Sequence, residues 1–153
     1  MPNVDFHSGV SDRLGFACRL LRKAYRQGAR VAVVGQAEEL ARLDVALWTF
    51  EPLEFVPHLR LRAAQPGVQA VAPRLAATTI WLVDDAAASP HAEVLLNLGA
   101  EVAVGSDRFA RVIDLVSEDS EDVSAGRRRF ADYRARGWPP THHRHAAAGK
   151  SGS

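Results

Sequence analysis

The sequence has few of the features that mark secreted or membrane-bound proteins. Its one cysteine, Cys18, excludes an internal disulfide and with it a disulfide-stapled secreted scaffold. No apolar run approaches the roughly 20 residues that a membrane-spanning helix needs. Residues 1–10 lack the basic stretch and apolar segment of a secretory signal. We therefore expect a cytoplasmic protein without a membrane contact.

The chain also lacks an excess of charge of one sign. Nineteen Lys and Arg residues are balanced by 18 Asp and Glu residues, so the formal net charge is only +1. Lysine itself is scarce, because Lys23 and Lys150 are the only two and the other cations are arginines. A chain-wide arginine bias can follow from genome composition, so it does not by itself indicate phosphate binding.

Glycine-rich phosphate-binding loops are absent. The turn HSGVSD has one glycine, and Gly35 is followed by QAEELA, so neither turn has the Gly-x-Gly-x-x-Gly pattern. The triplet GKS at 149–151 has Arg144 where the first P-loop glycine would stand. No Ser/His/Asp or Cys/His arrangement follows from the spacing, since Cys18 lies within an apolar helical stripe. We expect no catalytic site and no cofactor.

Two groups of metal-ligating residue types allow a metal interpretation and a plainer one. Asp84 and Asp85 follow a predicted strand, where they are either metal ligands or a solvated pair that caps the next segment. His142, His143 and His145 lie near the end of the chain without nearby acidic or cysteine ligands, and short His-rich tracts sometimes bind metals. We favour the capping pair and adventitious binding, and therefore expect no metal site.

The apolar pattern alternates between strand and helix. It predicts strands at 3–7, 30–35, 78–85 and 91–99, helices at 12–28, 38–48 and 123–136, and a short helix running into a strand at 109–117. Strands that are apolar on both faces are typical of parallel sheets. We expect an α/β fold of three layers, doubly wound, with a mostly parallel sheet and helices on both faces. One domain would span residues 1–141, followed by a flexible tail at 142–153.

The terminal helix concentrates arginine and aromatic residues. The stretch GRRRFADYRARGW, Gly126–Trp138, has five arginines and three aromatics in thirteen residues. Helical spacing puts Arg127, Phe130 and Arg134 on one face, and Arg129, Tyr133 and Arg136 on an adjacent one. Asp132 lies four residues from both Arg128 and Arg136, so part of the charge is internally paired. The helix is either a surface helix with core aromatics, or an arginine clamp for a carboxylate or phosphate beside an apolar pocket.

A second aromatic segment is LWTFEPLEFVPH, Leu47–His58. Trp48, Phe50 and Phe55 lie among prolines that break helical structure. The segment is either a loop folded over the core or an exposed aromatic patch of the kind that binds protein partners.

These motifs resemble those of a known family. RLDVALW, followed seven residues later by FVPH, and the terminal RRRFADYRARGW are similar to the chi subunit of bacterial DNA polymerase III holoenzyme, and the similarity runs to about Thr141. The resemblance implies a doubly wound α/β fold without catalytic activity. It also implies two partners: the psi subunit of the clamp loader, and the acidic, phenylalanine-ending tail of single-stranded DNA-binding protein. We accordingly expect a DNA-replication accessory subunit that bridges the two without contacting DNA.

The resemblance also assigns residues to each partner. Psi would contact Trp48, Phe55, Val56, Pro57 and His58, and a helicase is a further candidate for that surface. Arg127 would bind the tail of the single-stranded DNA-binding protein, together with Val116, Phe130, Arg128, Tyr133 and Thr141. The alternative is direct binding of single-stranded nucleic acid, with Arg127, Arg129 and Arg134 on phosphates and Tyr133 or Trp138 stacking on bases.

Overall fold

A computed structural model of the chain describes residues 2–49, 57–61 and 79–145. Within these ranges seven strands and three α-helices follow one another along the chain. They are β1 (Asn3–Val10), α1 (Arg13–Arg26), β2 (Val31–Val34), α2 (Ala37–Thr49), β3 (Leu59–Leu61), β4 (Ile80–Val83), β5 (Val94–Asn97), β6 (Arg111–Ser117), α3 (Ser120–Ala135) and β7 (Thr141–Arg144).

All seven strands form a single sheet in the order β3-β4-β2-β5-β6-β1-β7. Every neighbouring pair is parallel, which confirms the predicted α/β class. Strands β2 and β4 are buried along their whole length, as both-face apolar strands in the middle of a parallel sheet must be. All strands therefore end at the same edge of the sheet.

The helices divide between the two faces of the sheet. Helices α1 and α2 pack on one face, where Leu21 and Leu43 contact side chains such as Val33. Helix α3 packs on the other face, where Tyr133 lies among apolar side chains that include Val116. The two faces therefore have separate cores, and each presents a different helix surface to solvent. None of the described helices is both long and apolar enough to cross a membrane.

Helix α1 begins where the sequence predicts. The side chain of Asp12 accepts a hydrogen bond of 3.0 Å from the backbone N–H of Gly15, which caps the helix. Within the helix Cys18 is completely buried. Burial raises the pKa of its thiol to about 11, so the thiolate that reactive cysteines need is suppressed.

Residues 109–117 differ from the prediction of a helix running into a strand. Arg111–Ser117 is strand throughout, and only a short 3-10 helix, Ser106–Arg108, precedes it. The segment pairs with β5 on one side and β1 on the other, so two ladders of backbone hydrogen bonds favour the extended form. The β-branched Val112, Ile113 and Val116 suit it as well.

The predicted flexible tail is wrong for residues 142–144. Thr141–Arg144 is β7, which adds to the sheet edge in parallel with β1, so that Phe6 pairs with His142. Residues 146–153 lie outside the described part of the chain. A short polar strand has little apolar pattern, so its pairing could not be read from the sequence.

A buried ion pair joins α3 to the centre of the sheet. Asp114 on β6 is 0% exposed and Arg129 on α3 is 2% exposed. Arg129 donates from Nε and Nη2 to the carboxylate at 2.9 Å each, and from Nη1 to the carbonyl of Ala100 at 3.2 Å. Tyr133 donates its hydroxyl to the same carboxylate at 2.7 Å. The hydrogen-bonding groups of Asp114 are thus satisfied from a single helix.

Burial is the largest single influence on the pKa of each group in this cluster, and it sets the direction of the shift for Asp114 and Tyr133. Burial raises the pKa of Asp114, and the hydrogen bonds from Arg129 and Tyr133 oppose that rise. For Arg129, burial acts to lower the pKa, but the hydrogen bonds and charge of Asp114 outweigh it and the pKa is raised. Burial and the Asp114 charge together raise the pKa of Tyr133. The arginine and the tyrosine therefore stay protonated and remain donors.

We predict that Arg129→Met destabilises the fold by about 3–5 kcal/mol, because it leaves the Asp114 carboxylate buried without a cation. Urea unfolding followed by circular dichroism measures the loss. Arg134→Met, an exposed arginine on the same helix, is the matched control and should change the free energy of unfolding by less than about 1 kcal/mol. Equal small effects of both substitutions would show that the buried pair does not anchor α3.

Candidate functional site

The outer surface of α3 presents two cations near its middle. Arg127 and Arg128 are exposed, and neither forms an ion pair with any residue in the described part of the chain. Of the two pairings predicted for Asp132, the one with Arg136 is formed at 2.9 Å and the one with Arg128 is not. Arg127 and Arg128 are therefore available to an acidic ligand.

An aromatic group lies one helical turn from Arg127. The half-buried ring of Phe130 contacts the rings of Phe6 and His142 at centroid distances of 5.0 and 5.6 Å, and those two rings are 5.5 Å apart. We call Phe6, Phe130 and His142 the Phe130 cluster. Thr141, which precedes His142 on β7, is exposed but pairs with Asp5, so its side chain faces the opposite side of the sheet. The folded chain thus brings Arg127 and Phe130 together, but not Thr141.

Two other residues predicted for this surface lie beneath it. Val116 is buried under the start of α3, where a Cβ added to Gly126 would lie 2.6 Å from its Cγ2. This close approach requires glycine at position 126. Tyr133 is completely buried against Asp114, so the prediction that it faces a ligand is wrong. Its hydroxyl belongs to the core hydrogen-bond network.

The same burial removes most of the alternative nucleic-acid surface. Of the residues assigned to phosphates and bases, Arg129, Tyr133 and Trp138 are all buried. Arg127 and Arg134 stay exposed, but no tyrosine or tryptophan of this helix region is left to stack on a base. Helix α3 therefore buries Tyr133 and Arg129 in the core, leaves Phe130 half-buried, and keeps its other arginines at the surface.

A separate apolar surface lies on α2. Trp48 is 61% exposed and Val45 is 63% exposed. The Trp48 ring packs edge-on against His58 at 6.0 Å, and His58 Nε2 lies 2.6 Å from Asp44 Oδ1. Pro57 is half-buried next to His58. We call Val45, Trp48 and His58 the Trp48 patch.

The two other residues predicted for this surface, Phe55 and Val56, lie outside the described residues. The exposure of Trp48 favours a partner-binding patch over a loop folded onto the core.

The carboxyl edge of the sheet, where doubly wound folds often bind nucleotides, has an open groove of about 750 Å³. Two cations, Arg13 and Arg128, line it together with four carboxylates: Glu39, Asp119, Glu121 and Asp122. The guanidinium of Arg13 already has acceptors within the protein, because it donates to Glu39 at 2.9 Å and to the carbonyl of Leu98 at 2.9 Å. The negative excess disfavours a phosphate ligand.

The candidate metal ligands have structural contacts. Asp85 accepts a 3.0 Å hydrogen bond from the N–H of Ala87 and caps the short helix Ala86–Ala88, as the capping interpretation predicts. Within residues 2–49, 57–61 and 79–145, no three His, Cys, Asp or Glu side chains come together in a way that suits a metal ion.

Comparison with known proteins identifies the family. The family described as DNA polymerase III chi subunit, HolC, matches residues 1–141. The chain belongs to this family.

Relatives of the chi family cover nearly the whole chain. DNA polymerase III subunit chi of Pseudomonas aeruginosa is 32% identical over 149 residues, which are 94% of this chain and 97% of that protein. The Haemophilus influenzae protein of the same name is 30% identical over 80% of both chains. The Escherichia coli protein is 29% identical over 85% of this chain and 84% of its own.

Histidines attach the last strand of this chi-family chain to β1. His7 Nδ1 lies 2.9 Å from His145 Nε2, and the rings of His7 and His143 stack at 4.5 Å. His143 Nε2 also lies 2.9 Å from the Asp5 carboxylate. Burial lowers the pKa of His7 to about 4, with smaller contributions from the charges of His143, His145 and Arg111, while Asp5 acts in the opposite direction.

We predict that this attachment weakens in acid. The pKa of His7 falls from 6.5 to about 4 on folding, so protonation favours the unfolded chain. The stability that neutral His7 supports is present above about pH 6.5 and is lost as the pH falls towards 4. Urea midpoints measured across this range should fall less steeply for His7→Gln than for the wild type. Identical slopes would exclude His7 as a source of the pH dependence.

Proposed function

We propose that this chain is a non-catalytic accessory subunit of the DNA polymerase III holoenzyme. It links the psi subunit of the clamp loader, at the Trp48 patch, to the tail of single-stranded DNA-binding protein, at Arg127 and the Phe130 cluster. One observation above all supports this proposal. The two surfaces belong to α2 and α3, which pack on opposite faces of the sheet, so two partners can bind at once without collision.

The chemistry of the α3 surface suits an acidic tail that ends in phenylalanine. The planar guanidinium of Arg127 pairs with the terminal carboxylate, and Arg128 attracts the preceding aspartates. The half-exposed Phe130 ring offers an apolar contact for the terminal ring, since aromatic pairs prefer the edge-on geometry already present in this cluster. Val116 and Gly126 support the surface from below, because their close contact fixes where α3 lies on β6.

Such a contact is weak on its own. One carboxylate pair and one ring contact are consistent with a micromolar dissociation constant, about 8 kcal/mol. Several tails on one single-stranded DNA-binding protein oligomer raise the effective strength by multivalency. The link is therefore strong where the binding protein coats DNA and weak elsewhere, which suits an adaptor.

The Trp48 patch suits a more durable partner. Tryptophan is favoured at the energetic centre of protein interfaces, and Val45 extends the exposed apolar area next to it. The His58–Asp44 contact holds one wall of the patch against α2. Phe55 and Val56 complete the proposed psi surface, and a helicase is the competing partner for it.

We predict that Arg127→Ala abolishes binding of the tail peptide, because it removes the cation opposite the terminal carboxylate. Isothermal titration calorimetry with a peptide of the acidic tail measures the loss, and circular dichroism checks the fold. Arg42→Ala, an exposed arginine on α2, is the matched control and should leave the affinity unchanged. Undiminished affinity in Arg127→Ala would exclude the assigned surface.

Removal of the exposed indole should act on the other partner alone. Trp48→Ala is expected to weaken psi binding by at least about 2 kcal/mol while the tail peptide still binds. A pull-down with tagged psi measures this, and Tyr25→Ala, another exposed aromatic, serves as the control. Loss of both partners together would indicate misfolding, and retained psi with loss of helicase would assign the patch to the competing partner.

A further inference from the structure

Helix α1 has a one-sided charge that the sequence-wide balance conceals. Residues 13–37 contain six Lys and Arg residues and no Asp or Glu, although the chain has a net charge of only +1. None of these cations belongs to the Trp48 patch or to the surface formed by Arg127 and the Phe130 cluster, so neither proposed partner accounts for this positive charge. The cations of α1 therefore form a separate electrostatic feature.

A groove runs beside this helix. It has a volume of about 410 Å³ and lies between α1 and the first residues of β2, β5 and β6. Its floor is aliphatic, with Leu20 and Ala24 from the helix, Val31 and Val94 from the strand starts, and Ile113 from β6. The helical residues recur at intervals of three and four, so one side of α1 faces the groove along its length.

The rim of the groove is cationic. Arg19 and Lys23, one helical turn apart, line it from α1, and Arg111 lines it from β6. No carboxylate is among the described lining residues. Arg111 is bound to Asp5 at 2.6 Å, whereas Arg19 and Lys23 form no ion pair with a residue in the described ranges. Two positive charges next to an apolar floor thus lack a counter-charge.

The groove exists because α1 does not cover the sheet beyond β6. On that side β1 presents Asp5 and His7, and the His7 ring lies 5.3 Å from the Phe16 ring of the helix. Polar side chains there provide no apolar surface for another helix to bury. The groove therefore stays open to a ligand on the side of β1, where His7 lines it.

We propose that this groove binds an acidic peptide with an aliphatic side chain. Its carboxylates would pair with Arg19 and Lys23, and its aliphatic group would lie on Leu20, Ala24 and Ile113. From Phe16 to Gln27 the helix spans about 17 Å at 1.5 Å per residue. That length matches about five residues of extended peptide at 3.3 Å each.

Single-stranded DNA fits the groove less well. Binding of bases relies on exposed aromatic rings, and the floor here is aliphatic. The two rings at one end, Phe16 and His7, already pack against His145 at 5.1 and 5.2 Å. Charge alone would attract a phosphate backbone, but the apolar floor would then stay unused.

The groove is distinct from the surface proposed for the single-stranded DNA-binding protein tail. It lies on the α1 face of the sheet, whereas Arg127 and the Phe130 cluster lie on the α3 face. The two proposals can therefore fail independently.

The test uses the full chain and a fluorescein-labelled hexapeptide of four aspartates and two leucines. Fluorescence anisotropy should show binding that persists in Arg127→Ala and weakens about tenfold in the double variant Arg19→Glu, Lys23→Glu. The matched control reverses two other exposed arginines, Arg42→Glu with Arg134→Glu, and should retain the wild-type affinity in the Arg127→Ala background. Circular dichroism confirms that each variant is folded.

Four outcomes would overturn the proposal. They are no binding of the peptide to the wild type, an equal loss in the control variant, an undiminished affinity when serines replace the leucines, and tighter Arg19- and Lys23-dependent binding of a twelve-nucleotide oligothymidylate than of the peptide. The last outcome would assign the groove to single-stranded DNA. If the proposal is correct, binding of the peptide changes the amide chemical shifts of Ala24 and Val94, which line the groove, and not that of Phe130.

Discussion

The bidentate pair between Arg129 and Asp114 decides how α3 lies on the sheet. A carboxylate in the middle of a buried strand is costly unless a charged donor reaches it. Arg129 and Tyr133 lie one turn apart on α3, and together they bring the guanidinium and the hydroxyl to Asp114. The rotation of the helix is thereby fixed. With Arg129 directed inwards, Arg127 and Arg128 must point outwards, and Phe130 must lie over β1. The surface proposed to bind a partner is therefore a geometric consequence of a core interaction.

The order of elements and the fold class could be predicted from the sequence, because buried strands such as IWLV and amphipathic helices such as α1 have patterns with a clear period. The role of Arg129 could not be predicted, because a helical pattern does not show which of three consecutive arginines points into the core. The signal that would have separated them was Asp114, one acid inside the apolar run VIDLV. A charge at a core position needs a partner, and Arg129 is among the cations of the following helix.

The end of the chain shows a different limit. The stretch THHR has no apolar alternation, so it was predicted as tail, yet it forms β7. Its hydrogen-bond partners lie more than 130 residues away, on β1, and include Ser8, which lies 2.7 Å from His142. A parallel edge strand gains backbone hydrogen bonds that no local pattern reports. The prediction of Tyr133 at the surface was wrong for a related reason. Helical spacing shows which residues share a face of the helix, but it does not show which face packs against the core.

The carboxyl edge of the sheet is acidic in this chain, unlike the phosphate-binding edge of many doubly wound proteins. In doubly wound proteins that edge binds phosphates through glycine-rich turns and helix N-termini. Here the first turn of α3 contains Glu121 and Asp122, and Asp122 accepts a 2.6 Å hydrogen bond from the N–H of Ser117. The Asp122 carboxylate thus accepts the backbone hydrogen bond that a bound anion would otherwise accept at this edge. The fold keeps its helices on two opposite faces, and those faces present Arg127 and the exposed Trp48, whereas Arg128 lines the groove at the edge.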